Sequence, residues 1–333
     1  MRRALVLVMV AALAAGGCKK KPAEHAGPSP ELTGLAVVPS TAEVIVGVDV
    51  GRLAESPIVT RAVEQLLARE PSLAEKWQDL RNLCKLEMEQ VSRLMIALGP
   101  PPRGGKVGTG PMILIATGKL SEPELVKCVR EVVGKGGGSL VVKDVEGRSL
   151  YQVKDANRSM YIAFSRSDTV ILGNNDAYVN EAIGNGKKAL QQPELAGWLN
   201  QADQHAPVWV VGRVAEPLKK GLVRASNGML KAGATAYIGS LDLTSGVKAE
   251  LRALMGSAED AKKLESLVNL NLTSLTWAAQ GRSLGTVVKK LTVAVRGSEV
   301  QFSLPLTMDD VNHLLSALDG DGPPAQDSPP RGG

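Results

Sequence analysis

"VSRLMIALGPPPRGGKVGTGPMILIATG" (residues 91–118) decides the fold class of this chain. Its two ends, 91–99 and 111–118, are aliphatic and rich in residues that favour strands. The segment between them is rich in proline and glycine, which interrupt regular structure. This arrangement predicts two strands joined as an antiparallel hairpin.

Helix and strand patterns continue on both sides of this hairpin. Upstream, "AEVIVGVDV" (42–50) has the β-branched composition of a strand. "SPIVTRAVEQLLARE" (56–70) follows and repeats apolar residues at helical spacing, which predicts an amphipathic helix with Ile58, Ala62, Val63, Leu66 and Leu67 on one face. Downstream, "SEPELVKCVREVV" (121–133) predicts a helix, and three strands and a further helix follow up to residue 183.

The same order of elements restarts near residue 205. A strand in "APVWVVGRV" (206–214) precedes a helical stretch, and a second hairpin spans residues 234–256. Both halves then run strand, helix, hairpin, helix, strands, helix, which predicts an internal duplication. We therefore expect an α+β fold with two related repeats, residues 34–204 and 205–318, each a mainly antiparallel sheet with helices packed on one face.

Three hydroxyl residues precede an acidic residue by three positions where helices are expected to begin. The pairs are Ser121 with Glu124, Ser257 with Asp260, and Thr307 with Asp310. At this spacing the hydroxyl can accept a hydrogen bond from the amide of the acidic residue, and the acid can accept one from the amide of the hydroxyl residue. This arrangement is a capping box, or a close variant of one, and it pairs amides that a helix start leaves without partners. The pairs support the predicted order of strand followed by helix.

The N-terminus has the pattern of an export signal. Arg2 and Arg3 precede an apolar run over 4–15, which is too short to span a bilayer. Small residues and then Cys18 follow, as at a signal-peptide cleavage site. The pattern resembles the lipobox of bacterial lipoproteins, although Ala15 stands where leucine is usual. The resemblance implies a signal peptide over 1–17 and a diacylated Cys18 as the mature N-terminus.

Polar segments are expected at both ends of the mature chain. Lys19, Lys20 and Lys21 would lie at the lipid headgroups, where each contributes about 1 kcal/mol beside anionic lipid. Residues 18–33 are rich in proline and charge and predict a flexible tether, and 319–333 predict a disordered tail. Lys19 at the second mature position resembles lipoproteins of the outer membrane, so we expect a lipid-anchored protein of the bacterial cell envelope.

Composition argues against a nucleic-acid partner. The net charge of +5 becomes +3 when Arg2 and Arg3 leave with the signal peptide, because residues 1–17 contain no acid. Aromatic residues make up only 3% of the chain, whereas base-stacking platforms need aromatic faces. Lysine pairs such as Lys262–Lys263 are scattered and fit solvated faces.

One family resemblance covers most of the mature chain. The stretches "VVPSTAEVIVGVDVGRLAESPIV" (37–59), "APVWVVGRV" (206–214) and "SLDLTSGVKAEL" (240–251) carry it. They resemble uncharacterised envelope lipoproteins of myxobacteria and their relatives, which have similar openings and a repeated α+β body. The shared motifs are structural, so the resemblance implies a fold and no activity.

A serine-hydrolase motif is present in "GRSLG" (281–285), with Asp309, Asp310 and His313 after it in the order of α/β-hydrolases. Its surroundings contradict the motif, because a nucleophile elbow follows a strand and precedes a long helix. Asp309 and His313 also lie four apart on one predicted helix, whereas a triad takes its acid and base from separate loops. We expect a turn and no catalytic residues, and keep a hydrolase using Ser283 as a rival.

Phosphate and metal motifs also fail on spacing. The loop 99–110 lacks the G-x-x-x-x-G-K-[ST] pattern, and in 134–139 the helix precedes the glycines. His25, His205 and His313 lie far apart, and no pair has ligand spacing such as H-x-x-x-H. We therefore expect neither a metal nor a cofactor.

Cys84 and Cys128 remain once Cys18 carries lipid. An even pair in an exported protein predicts a disulfide, here structural because neither cysteine belongs to a C-x-x-C motif. A closed loop of this length contributes about 4 kcal/mol in the chain-entropy model. The alternative is two separate thiols that pack as small apolar groups.

These features together predict a membrane-anchored, non-enzymatic envelope lipoprotein with a binding or scaffolding role. Its expected partners are the membrane through the lipid anchor and an envelope protein or an apolar ligand. A carrier of a lipid or another apolar molecule is the alternative, and an exported serine hydrolase is the weaker rival.

Overall fold

The computed structural model describes residues 34–84, 87–103, 105, 108–155, 158–278 and 284–319. The predicted signal peptide, Cys18 and the tether therefore lie outside the described residues. Ser283 and the tail beyond residue 319 lie outside them as well. In the part of the chain that is described, no helix is long and apolar enough to cross a membrane.

The strands are short and mostly aliphatic or β-branched. In chain order they are β1 (Val44–Asp49), β2 (Val91–Leu98), β3 (Met112–Gly118), β4 (Ser139–Val145), β5 (Arg148–Asp155), β6 (Arg158–Arg166), β7 (Thr169–Gly173), β8 (Val208–Arg213), β9 (Ala236–Asp242), β10 (Val247–Leu254), β11 (Thr292–Arg296) and β12 (Glu299–Leu306).

Ten α-helices accompany the strands in the part of the chain that is described, and those at Pro193–Gln201 and Leu284–Lys290 were not predicted. The ten helices are α1 (Val50–Ala54), α2 (Pro57–Arg69), α3 (Pro71–Cys84), α4 (Glu122–Lys135), α5 (Asp176–Ile183), α6 (Pro193–Gln201), α7 (Glu216–Ala225), α8 (Ala258–Ala278), α9 (Leu284–Lys290) and α10 (Met308–Asp319). Short 3-10 helices occupy Gly34–Ala36, Met88–Gln90 and Ala189–Gln191.

All twelve strands belong to one sheet in the order β11-β12-β10-β9-β8-β1-β2-β3-β7-β6-β5-β4. The β2–β3 hairpin predicted from 91–118 is confirmed as antiparallel, with Leu94 opposite Ala116. The α+β class and the mainly antiparallel pairing are confirmed. The expectation of a separate sheet in each half is wrong.

The two halves share a sheet because their first strands pair with each other. β1 runs antiparallel to β8, with Val46 opposite Val210 and Val48 opposite Val208. Each strand would otherwise present an edge of unpaired amide and carbonyl groups, and an aliphatic edge of that kind is prone to aggregation. Their pairing removes both edges from the middle of the molecule.

Helices cover both faces of the sheet in the first half, so the prediction of one covered face is wrong there. Alternate residues of β3 point to opposite faces. Ile113 and Ile115 belong to a core cluster on the face we call A, which includes Val179 of α5 and Trp198 of α6. Leu114 and Ala116 belong to another cluster on the opposite face, called B, which α4 covers. A third cluster beneath α8 buries Val300.

The predicted capping boxes have three different outcomes. Thr307 and Asp310 form a full box, because the Asp310 amide donates to Thr307 Oγ1 and the Thr307 amide donates to Asp310. Ser257 accepts from the Asp260 amide, but the Asp260 carboxylate accepts from Lys231 and Ala232 instead. Ser121 stands at the N-cap of α4 without a side-chain cap bond, so the prediction that it caps the helix as a box or a close variant is wrong.

Candidate functional site

The middle of face B forms a strip of aliphatic side chains that we call the central strip. Cross-strand pairing aligns Val46, Val210, Gly239 and Leu251 in one row over four strands. The neighbouring row aligns Val208, Leu241 and Ala249. Residues directly opposite in antiparallel strands share a face. The central strip therefore consists of six side chains, those of Val46, Val208, Val210, Leu241, Ala249 and Leu251.

The central strip lies between two buried clusters and belongs to neither. On one side α4 packs on the cluster that contains Leu114, and on the other α8 packs on the cluster that contains Val300. The side chains of the strip are half-buried, and Leu251 is 41% exposed. An apolar surface of this kind in the middle of a large sheet differs from the scattered apolar residues of ordinary protein surfaces.

Gly239 forms the floor of the strip. A Cβ atom at Gly239 would lie 3.2 Å from both Leu251 Cδ1 and Val210 Cγ1. The side chains of Leu251 and Val210 therefore approach each other over a position that has no side chain of its own. Leu251 and Val210 thus occupy the space above Gly239, which explains why a residue without a side chain stands there.

Helices α2 and α3 connect the two flanks of face B. At the start of α2, Ser56 Oγ donates to the Leu243 carbonyl, 2.5 Å away, in the β9–β10 turn. One turn later, Arg61 donates to Asn312 Oδ1 of α10 at 3.2 Å. At the other end, Cys84 of α3 is joined to Cys128 of α4. The two helices thus extend from α10 to α4.

The apolar side of α2 is poorly buried. None of its described residues is fully buried, and the predicted apolar positions Ile58, Val63, Leu66 and Leu67 are only half-buried. A helix with one apolar stripe is normally stabilised by packing that stripe against a core. The half-buried stripe of α2 and the half-buried central strip are thus two apolar surfaces that are incompletely packed.

The predicted disulfide is confirmed. Cys84 and Cys128 are joined with their Cα atoms 5.1 Å apart, within the usual range for a disulfide, and they lie 44 residues apart in sequence. Cys128 is buried, whereas Cys84 at the end of α3 is half-buried. The bond fixes α3 to α4, and through α3 it limits how far α2 can move from the sheet.

A small apolar cleft lies beneath α4, over β4, β5 and β6 and separated by three strands from the central strip. The cleft is shallow and partly open to solvent, and it is lined by Leu125, Val126, Val129, Leu140, Tyr151, Ile162 and Phe164. Tyr151 donates from its hydroxyl to Glu122 Oε1 at 2.6 Å. Burial, with a further contribution from Glu122, raises the pKa of the Tyr151 hydroxyl. The cleft is thus a hydrophobic space with one polar contact at its edge.

Of the residues in the hydrolase motif, Asp310 has other partners in the structure. The Asp310 carboxylate is bonded to Thr307 and to Lys290 Nζ, and these groups lower the pKa of Asp310 to about 2, with Lys290 the largest cause. His313 is exposed on the same helix, and Ser283 lies outside the described residues. Asp310 thus caps a helix and neutralises a lysine.

The phosphate and metal candidates are loops and isolated side chains. The described part of 99–110 connects β2 to β3, and 136–138 connect α4 to β4, as expected for connecting loops. His205 is exposed beside the start of β8. No group of three histidine, cysteine or acidic side chains arranged to hold a metal occurs among the described residues.

The central strip was not predicted from the sequence. The predicted strands contain every residue of the strip, but none of them is unusual on its own. The strip exists only because β1 pairs with β8, which brings Val46 beside Val210. The only available signal was the matching alternation of residues in 42–50 and 206–214.

Comparison with known proteins leaves the family of this chain open. No protein-family model matches it, and no curated protein matches it either. Among solved structures, crystal form I of TP0453 is similar, with a TM-score of 0.47 and 11% sequence identity. The alignment covers 88% of this chain and 99% of that one.

Proposed function

We propose that this protein is a membrane-anchored, non-enzymatic lipoprotein of the bacterial cell envelope that binds an apolar partner. The anchor is supported by the basic start, the apolar run and Cys18 in residues 1–21. The Cys84–Cys128 disulfide agrees with export, because disulfides persist mainly in oxidising compartments. Lys19 supports the outer membrane as the destination.

One observation carries the binding role: the central strip is an aliphatic surface that the fold leaves half-covered. Scaffolding through this face and carriage of an apolar molecule are its two possible uses. The half-buried apolar stripe of α2 is a second apolar surface that the fold packs incompletely, and it favours carriage, because an apolar ligand would bury surface that the chain itself leaves partly exposed. Among the hydrolase candidates that the structure describes, Asp310 caps a helix and pairs with Lys290, which favours a binding role over the hydrolase rival.

We also propose that the two halves arose by duplication. From the central β1–β8 pair the sheet extends outward as β1-β2-β3-β7-β6 on one side and as β8-β9-β10-β12-β11 on the other. In each half, the first strand pairs with a hairpin, β2–β3 or β9–β10. The strand next to that hairpin in the sheet is the last strand of the half along the chain, β7 or β12. Beyond it lies the strand that precedes it in sequence, β6 or β11. This matching order supports two repeats with a boundary near residue 205, and it agrees with the resemblance to myxobacterial lipoproteins.

The anchor is tested by replacing Cys18. In a bacterial host fed a labelled fatty acid, the wild-type protein should incorporate label and sediment with membranes. Cys18→Ala should lose the label and accumulate as unprocessed precursor or soluble protein, whereas the control Lys21→Ala should behave as wild type. Unchanged processing and membrane association of Cys18→Ala would contradict the anchor.

The rival hydrolase has its own test. A fluorophosphonate probe labels activated serine nucleophiles, so we expect no labelling of the purified protein. Labelling that disappears in Ser283→Ala and persists in Ser266→Ala would replace the proposal with an exported serine hydrolase.

A further inference from the structure

We infer that edge strand β4 (Ser139–Val145) pairs with β4 of a second copy of this chain, so that two sheets join across a twofold axis. β4 is the last strand of the sheet, and no described strand lies beyond it. This edge is separate from the central strip and from Cys18, so the pairing goes beyond the function proposed above and is independent of it.

The turn after β4 sets the phase of its hydrogen bonds. Glu146 and Gly147 have φ angles of 54° and 79°, as in the two-residue type I′ turn of a hairpin. The hydrogen bond that closes such a turn joins the residues on either side, here Val145 and Arg148, which lie opposite each other in the sheet. Val145 and Arg148 are therefore a hydrogen-bonded pair of the β4–β5 ladder.

Every second residue of β4 directs its backbone groups to the open edge. Hydrogen-bonded and non-hydrogen-bonded pairs alternate along an antiparallel ladder, so counting back from Val145 gives Lys143 and Val141 as the next residues bonded to β5. The backbone groups that point away from β5 are those of Leu140, Val142 and Asp144. Among the described residues, none outside β5 offers these groups a backbone partner.

β4 lacks the features by which exposed edges usually avoid pairing, such as a proline, a bulge or a covering element. It contains no proline, and its seven pairs with β5 run without a shift in register. Five of its seven residues are exposed, among them Val141 at 38% and Val142 at 51%. The other edge strand, β11, has only five residues, and its two valines pack in the cluster beneath α8. β4 is thus the edge that is open to a partner strand.

The two charged residues of β4 are held by groups of their own chain. Lys143 Nζ lies 3.1 Å from Asp176 Oδ2 of α5, and the Asp144 carboxylate accepts a hydrogen bond from the Gly147 amide at 3.2 Å. Charges on an edge strand deter pairing when they would meet a partner strand without compensation. Here both charges have partners, so neither deters a second strand.

One register of the twofold pair uses every outward group. It places Val142 opposite Val142 of the second copy and Leu140 opposite the second copy's Asp144, and each such pair exchanges two backbone hydrogen bonds. A register centred on Val141 leaves Asp144 without a strand partner. A register centred on Lys143 sets two lysines directly opposite each other, which is destabilising. The Val142 register avoids both faults, and since the same residues then satisfy both strands, a second copy is the partner that fits.

Sedimentation equilibrium of the full chain tests the pairing, in a mild detergent that keeps apolar N-terminal groups from driving association. We expect a monomer–dimer equilibrium for the wild type. Val142→Lys and Val142→Glu should each raise the dissociation constant at least tenfold, because like charges then meet at the twofold axis. An equal mixture of the two variants should restore the dimer, because the charges that meet are then of opposite sign.

Leu218→Lys is the matched control. Leu218 is 57% exposed on α7, in the second half of the chain. The same substitution there should leave the dissociation constant within about twofold of the wild-type value. Circular dichroism checks that each variant folds, and the exposure of Val142 makes its substitution compatible with folding.

Hydrogen exchange of the wild-type protein supplies a test that needs no variant. The Val142 amide should be protected at concentrations where the dimer forms and should exchange rapidly when the protein is dilute. The Val141 and Lys143 amides, which are bonded to β5, should be protected under both conditions. This alternation distinguishes strand pairing from association through another surface.

A monomer at every concentration measured would overturn the inference, as would a dimer that Val142→Lys leaves unchanged. Failure of the variant mixture to restore the dimer would overturn it as well, and so would protection of the Val142 amide that does not change with concentration. If the Val142 variants do not fold, the exchange measurement on the wild type decides.

Discussion

Trp209 of β8 lies directly over Gly47 of β1, its opposite neighbour in the sheet. A methyl group on Gly47 would lie 2.1 Å from Trp209 Cε2, well inside van der Waals contact. Trp209 is almost fully buried in the face A cluster. The indole thus packs flat across the strand pair that joins the two halves, and it requires a residue without a side chain opposite it.

The first prediction concerns this contact. Gly47→Ala should lower the free energy of unfolding by about 2 kcal/mol or more, because neither the buried indole nor the paired backbone can move away easily. Urea unfolding followed by tryptophan fluorescence measures the change. Gly197→Ala is the control, since a methyl group there meets open space within helix α6 and should be neutral or slightly stabilising. Equal stability of Gly47→Ala and wild type would contradict the packing.

The elements that local patterns determine were predicted well. Hairpins 91–118 and 234–256 carry alternating apolar residues around turn-forming loops, and both formed as expected. Edge strand β4 (Ser139–Val145) was missed, because it is largely exposed and lacks a clear apolar alternation. Helix α6 (Pro193–Gln201) was also missed. The side of α6 that is buried is set by its contact with the cluster of face A, and the sequence of the helix alone does not reveal that contact.

Long-range pairing was the part that sequence patterns could not supply. The β1–β8 pair is formed by residues more than 150 positions apart, and nothing in either strand specifies the other as its partner. For this reason the single sheet and the central strip were not foreseen. The disulfide was foreseen because only two cysteines remained after Cys18, which left one possible pairing.

The second prediction concerns the disulfide. The double variant Cys84→Ser/Cys128→Ser should lose about 4 kcal/mol of unfolding free energy, because the 44-residue separation closes a loop that restricts the unfolded chain. Chemical denaturation of the oxidised protein, the reduced protein and the double variant measures it. The reduced protein should match the double variant. Unfolding free energies that agree within about 1 kcal/mol in all three would contradict a stabilising bond.

The third prediction concerns acid stability at the start of α10. Lys290 and Thr307 hold the pKa of Asp310 at about 2, below its ordinary value of 3.8. The folded state therefore binds fewer protons than the unfolded state between these two values. The resulting stabilisation is complete above about pH 4 and is lost as the pH falls through about 2.

Asp310→Asn should accordingly be less stable than wild type at pH 7, and the difference should shrink as the pH approaches 2. Urea midpoints at pH 7, 4, 3 and 2 measure it. The neighbouring Asp309→Asn is the control, because Asp309 is exposed and should change stability by less than about 0.5 kcal/mol. A constant difference between Asp310→Asn and wild type across this range would refute the prediction.

The last prediction compares a buried tyrosine, Tyr178, with a half-buried one, Tyr151. Tyr178 of α5 is 4% exposed, and its hydroxyl has no hydrogen-bond partner in the part of the chain that the structure describes. Burial, with smaller contributions from Glu181 and Glu43, raises the pKa of this hydroxyl. Tyr151, in contrast, donates to Glu122 Oε1 at 2.6 Å. A buried hydroxyl without a partner is destabilising, whereas one that satisfies a carboxylate is stabilising.

The phenylalanine substitutions should therefore have opposite signs. Tyr178→Phe removes an unpaired polar atom and should leave stability unchanged or raise it by about 1 kcal/mol. Tyr151→Phe removes a bond to a buried carboxylate and should lower stability by about 1 to 3 kcal/mol. The same urea titration measures both variants, and each serves as the control for the other because the change in shape is identical. A larger loss in Tyr178→Phe than in Tyr151→Phe would show that the Tyr178 hydroxyl makes a stabilising contact.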